Sequence, residues 1–141
     1  MTVVIDTNVV LGMFHPGHRA RPIFSAWFDG RLHWAISTEI LLEYEEIVGE
    51  HSGSDRVRKM FALMEVVSQQ HGNVLHLAPA FRFRLIAADA DDDKFADCAI
   101  AAGADCIITD DRHFDALKNS GHKPQPVMPE EFIRRHLGGA K

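Results

Sequence analysis

Cysteine is scarce in this chain: Cys98 and Cys106 are the only two in 141 residues. Their spacing fits neither a disulfide framework nor a zinc site, so both are expected as reduced core residues of a cytoplasmic protein. No apolar run approaches the ~18 residues that a helical membrane span needs, so no membrane role is expected. The opening "MTVVIDTN" lacks the basic stretch and cleavage pattern of an export signal. Repeats, low-complexity tracts and linkers are also missing. The length suits one domain, expected over residues 1–137, with "GGAK" at 138–141 as a disordered tail. Positive charge is in short supply: 15 Lys and Arg against 20 Asp and Glu give a formal net charge of −5. That balance excludes a broadly basic nucleic-acid surface and leaves room for a local one.

What the chain does have is an acidic focus. Of twelve aspartates, nine lie between Asp89 and Asp115, and "DADDDKF" alone packs four carboxylates into five residues. Basic residues sit elsewhere, at Arg19 and Arg21, at Arg56, Arg58 and Lys59, and at Arg82 and Arg84. An acidic centre with basic surroundings suits a polyanion held through metal ions at the middle and side chains at the rim. Any single arginine is as readily a solvated surface charge.

The periodicity places these charges on a scaffold. "TVVID" is a short β-branched run of the kind buried on both faces of a sheet. "RPIFSAWFDG" reads as a helix, with Pro22 in the first turn, an apolar stripe through Trp27 and Gly30 at the C′ position. "HWAIS" is a second strand. A helix follows from about Ser37 to about Val48, and another runs from an N-cap at Ser54 to Gly72. "VLHLA" is a third strand. Beyond the acidic loop come the helix "KFADCAIAAG", the strand "CIIT", a fifth strand in "QPVMP" and the helix "PEEFIRRHL". Alternating strands and helices imply a parallel sheet covered on both faces, which binds ligands beyond the carboxyl ends of its strands. Asp6 ends the first strand, and Asp110 and Asp111 follow the fourth.

If Asp6, Asp111 and Asp92 or Asp93 converge, their repulsion must be relieved. Two like charges ~5 Å apart repel by about 3 kcal/mol at an effective dielectric of ~20. Such a cluster protonates, splays apart or binds a cation, and hard oxygen ligands favour Mg²⁺ or Mn²⁺. Asp92 also fits a plain N-cap of the helix that follows. Asp93 and Asp97 stand four apart on one helix face, which is unfavourable unless something positive lies between them. An EF-hand is excluded, because Lys94 stands where glycine is needed and Ile100 where glutamate is needed. Glu43 and Glu45 border the apolar stripe of their helix equally well, and periodicity does not choose between them.

In order and spacing, "VVIDTNVVL", "STEILLEYEEI", "DDDKFADCAIAAGADCIITDDRHF" and "PEEF" resemble the PIN-domain family, most closely the VapC-like toxin components of bacterial toxin–antitoxin systems. The likeness spans nearly the whole chain. It implies a three-layer α/β/α sandwich with a central, mostly parallel sheet, and a metal-dependent endoribonuclease acting on single-stranded RNA. Carried over by position, Asp6, Glu43, Asp92 and Asp111 become the catalytic acids. The metal ligands are these four with Asp93, and the cofactor is Mg²⁺ or Mn²⁺. Ungapped spacing to Asp111 favours Asp93 as the third acid, and the "DADDDKF" context favours Asp92, which we prefer. Asn8, Thr109, Asp97 and Asp110 become supporting residues, with Asn8 orienting Asp6 or water.

Arg19, Arg21, Arg82 and Arg84 are candidate RNA contacts, with His15, His18 and His113 near the site. Phe14 and Trp27 are candidates for stacking on bases, although Trp27 fits the core better. The resemblance further implies a cognate antitoxin and a homodimer, with Phe24, Phe28 or Met64 as possible contacts. Two other readings compete: a haloacid-dehalogenase-like phosphatase and a non-catalytic PIN-like binding module. The phosphatase chemistry needs an aspartate two residues after the first, where Asn8 stands.

Overall fold

The β-branched run at the start of the chain forms the middle of the sheet. A computed structural model describes residues 1–78, 93–112, 114–115 and 124–138. Thr2–Ile5 is strand β1, and Val3, Val4 and Ile5 have no exposed surface. The remaining strands are β2 (His33–Ser37), β3 (Val74–Leu77), β4 (Cys106–Ile108) and β5 (Gln125–Val127). Helices α1 (Thr7–Met13) and α2 (Arg21–Phe28) lie between β1 and β2, and α3 (Thr38–Ser52) and α4 (Ser54–His71) between β2 and β3. Helix α5 (Asp93–Ala102) precedes β4, and α6 (Pro129–His136) follows β5.

The five described strands run in the order β3-β2-β1-β4-β5, and every pairing is parallel. The architecture is the expected three-layer α/β/α sandwich. Pro126 lies in β5, an edge strand, where its missing N–H leaves no gap between paired neighbours. Trp27, Trp34, Tyr44, Phe95, Phe114 and Phe132 are fully buried and dominate the core. No described helix is long and apolar enough to cross a membrane.

Three local features differ from the periodicity. Helix α1 has no counterpart in the sequence reading. It is only seven residues long and contains two β-branched valines and a glycine, all poor helix signals. Asp6 caps it, accepting from the Thr7 N–H, and Val9, Val10 and Met13 are buried beneath it, so tertiary packing makes the helix. Ser54 is not an N-cap. Gly53 holds that position at φ 87°, because one residue joins α3 to α4 and must turn the chain there. Ser54 makes no capping bond. Finally, α3 continues to Ser52, a turn beyond the expected end.

One polar chain ties α3 to the sheet. The Tyr44 hydroxyl donates to the carbonyl of Ile5 and accepts from Trp34 Nε1 at 3.3 Å. Tyr44 has no exposed surface, so its ring fixes α3 against the last residue of β1. Its neighbour Glu43 is thereby carried to the carboxyl end of the sheet.

Candidate active site

Strand order reverses at the β1/β4 pair: β2 and β3 lie on one side of β1, and β4 and β5 on the other. Such a switch point is where an open parallel sheet leaves a crevice for ligand. Register places Ile5 beside Ile108, and the Asp6 N–H donates to the Ile108 carbonyl at 2.9 Å. The next residues, Asp6 and Thr109, therefore stand side by side at the two strand ends. Thr109 Oγ1 donates to Asp6 Oδ2 at 2.8 Å and accepts the Asp111 N–H at 2.9 Å. The other Asp6 oxygen, Oδ1, accepts from the Thr7 N–H at 2.8 Å. Asp6 is only 5% exposed.

Glu43 reaches the same place from α3. The Thr7 hydroxyl donates to its Oε2, and Lys94 Nζ lies 2.7 Å from its Oε1. Glu45, two residues on, is exposed. Thr7 thus touches two acids, Asp6 through its backbone and Glu43 through its side chain.

The electrostatics show that three separate segments share one field. The Asp6 carboxyl is pushed up to about 6. Burial is the main cause. The hydrogen bonds from Thr109 and Thr7 oppose it, and the charges of Asp111 and Glu43 add to it. Asp6, Glu43 and Asp111 come from the end of β1, the middle of α3 and the loop after β4, and they are close enough to repel.

The other expected site residues divide into groups. Asp93 is the first residue of α5, and Asp97, one turn later, is buried. Asp92, Arg82, Arg84 and His113 lie outside the described residues, as do 139–141 of the expected tail. Asp110 pairs with Arg19 at 2.8 Å, and Arg19 also bonds Glu130. Arg21 donates to the Phe14 carbonyl at 3.0 Å and covers the Phe24 ring at 4.0 Å, so it closes the end of α1. Asn8 is exposed on α1, and Asp6 is held by Thr7 and Thr109 instead. Phe14 packs into an aromatic cluster with Phe24, Trp27 and Trp34, and Trp27 is fully buried. The His18 ring lies over Gly12, where a Cβ would meet it at 2.3 Å.

Sequence reasoning missed two residues, Thr7 and Lys94. Thr7 is the middle of "DTN", where weight was placed on the flanking residues. Lys94 follows Asp93 in the chain, and its ammonium pairs with Glu43 of α3. An open cavity of about 330 Å³ is lined by Thr109, Asp111, Asp115 and Met128 among others. A smaller apolar cavity of about 120 Å³, lined by Val10, Phe14, Val48 and Met60 among others, has no acid in its lining.

The family described as PIN domain matches residues 2–113, which include every element from β1 to β4 and Asp6, Glu43 and Asp111. The chain belongs to the PIN domain family. No curated protein matches it. Among solved structures, this PIN domain is similar to VapBC2 from Rickettsia felis, described as bound to a DNA fragment from their promoter. The TM-score is 0.60 at 13% identity, over 91% of this chain and 98% of that one. At such low identity the likeness is one of fold. Among the described residues of this PIN domain, no three His, Cys, Asp or Glu side chains form a ready metal cluster. Asp6 and the two acids whose charges reach it, Glu43 and Asp111, offer only hard oxygen donors.

Proposed function

We propose that this PIN domain is a divalent-metal-dependent endoribonuclease that hydrolyses phosphodiester bonds of single-stranded RNA. The observation that carries the reading is Asp6: a nearly buried carboxyl, fixed by two hydrogen bonds, in the field of Asp111 and Glu43. A carboxyl raised by burial and by neighbouring charges, at the switch point of a parallel sheet, is a candidate functional group. The donors suit Mg²⁺ or Mn²⁺, and the ammonium on Glu43 marks the place as one that draws a cation. Asp6, Glu43 and Asp111 would hold the ion, with Asp93 and Asp92 as the candidates from the α5 end. A bound ion of this kind lowers the pKa of water and offsets charge on a phosphodiester.

The chain's own residues prepare this chemistry. Thr109 and Thr7 fix the Asp6 oxygens, so the carboxylate need not reorganise when charge arrives. Tyr44 anchors α3 and so places Glu43. The open cavity lined by Asp111 and Asp115 is where this reading places the phosphodiester of the RNA strand. Arg19 and Arg21 are engaged within the protein, which makes them positioning groups more than backbone contacts. The phosphatase alternative gains nothing from the site, since exposed Asn8 stands where its second aspartate belongs.

A role as the toxin of a toxin–antitoxin pair is part of the proposal. It rests on the family and on the fold shared with VapBC2. We further propose one domain over residues 1–137, a cytoplasmic setting, a cognate antitoxin and a homodimer. Phe28 is 44% exposed and available for that contact, whereas Phe24 and Met64 are core residues. The test is cleavage of end-labelled single-stranded RNA with Mg²⁺, with Mn²⁺ and with chelator, alongside Asp6→Asn. Metal-dependent cutting abolished in the variant is expected, and equal cutting by both proteins would overturn the assignment.

A further inference from the structure

Lys94 is in an unfavourable place for a lysine. It lies in α5 between Asp93 and Phe95, which has no exposed surface. Its side chain is only 13% exposed, so the ammonium has given up much of its hydration. Glu43 offsets that cost. Its Oε1 lies 2.7 Å from Lys94 Nζ, its Oε2 accepts from Thr7, and its own side chain is 23% exposed. Both oxygens of the one acid that α3 brings to the site are thus engaged, one of them by a positive charge.

Building on the metal reading above, we propose that Lys94 is a resident counterion that a divalent ion must displace from Glu43. In the metal-free protein the ammonium neutralises part of the acidic pocket and keeps Glu43 turned inward. A divalent ion brought to the same carboxylate meets a positive charge at contact distance, so the two occupants exclude one another. Metal affinity is therefore set below what the acids alone would give. Loading the site releases the Lys94 side chain towards solvent.

The test uses the full chain and Mn²⁺ alone. Mn²⁺ affinity is measured by calorimetry for wild type, Lys94→Met and Lys94→Arg. Loss of the competing charge is expected to tighten binding about tenfold or more in Lys94→Met. Lys94→Arg, which keeps the charge, stays near wild type. Tighter binding is not something damage to the fold produces. A folded Lys94→Met that binds Mn²⁺ no more tightly than wild type overturns the inference and leaves the metal reading intact. No binding by any of the three at millimolar Mn²⁺ overturns both. Amine labelling of wild type, read by mass spectrometry, needs no variant. Modification of Lys94 should rise severalfold at saturating Mn²⁺, while exposed Lys59 stays constant. Unchanged labelling of Lys94 at saturation also overturns the inference.

Discussion

The hydroxyl of Thr109 stands 2.8 Å from Oδ2 of Asp6 and joins the ends of two neighbouring parallel strands. Thr109 Oγ1 also accepts the backbone N–H of Asp111. One threonine therefore orients one acid and positions the backbone of another.

Replacing Thr109 by valine keeps the shape and removes the hydroxyl. A buried carboxylate then loses a donor and the Asp111 N–H loses an acceptor, which costs about 1–3 kcal/mol. Chemical denaturation should show that loss, together with a clear drop in metal-dependent RNA cleavage. Thr109→Ser should retain most of both. Full activity in the valine variant would show that the bridge is incidental.

Asp6 gives the metal-free protein a particular pH dependence. Its carboxyl is raised from 3.8 to about 6, so the folded state binds the proton more tightly than the unfolded state does. Its contribution to stability is present below about pH 4 and declines as pH rises through 6, by roughly 3 kcal/mol at most. Urea unfolding in chelator at pH 4.5 and pH 7 should show the decline, and Asp6→Asn should flatten it. A wild-type profile as flat as that of the variant would contradict the buried-acid description.

Glu43 and Glu45 separate by geometry. Glu43 touches Thr7 and Lys94, while Glu45 faces solvent. Glu43→Gln is expected to lose the rise in melting temperature that Mg²⁺ or Mn²⁺ gives wild type, and to lose RNA cleavage. Glu45→Gln should behave as wild type in both assays. Equal effects from the two substitutions would remove Glu43 from the site.

The thiols offer an independent check of the core. Burial pushes both Cys98 and Cys106 up to about 12, so neither is a thiolate near neutral pH. At pH 8 a disulfide reagent should leave both untouched over minutes in native protein and modify two thiols in denaturant. Rapid native labelling at Cys98, which has no exposed surface, would mean that α5 opens readily.

Much of the scaffold was legible because its signals are local. "HWAIS" is the second strand residue for residue, and Gly72, with φ 64°, ends α4 as a left-handed cap should. Asp6 follows β1 directly and Asp111 lies three residues beyond β4, because chain order alone sets what comes after a strand. Helix α1 was not legible, because its buried side and its cap carry it against poor propensity.

By itself, then, the sequence determined the alternation of strands and helices, and with it the rim where Asp6, Thr109 and Asp111 gather. Hydrophobic period and chain direction suffice for that, since backbone geometry fixes where the end of a strand lies. The tertiary structure alone decided which charges face each other: Arg19 on Asp110 and Glu130, Arg21 on the end of α1, Lys94 on Glu43. Long charged side chains choose partners by distance in space. Lys94 and Glu43 are 51 positions apart along the chain, and no local period records that they meet.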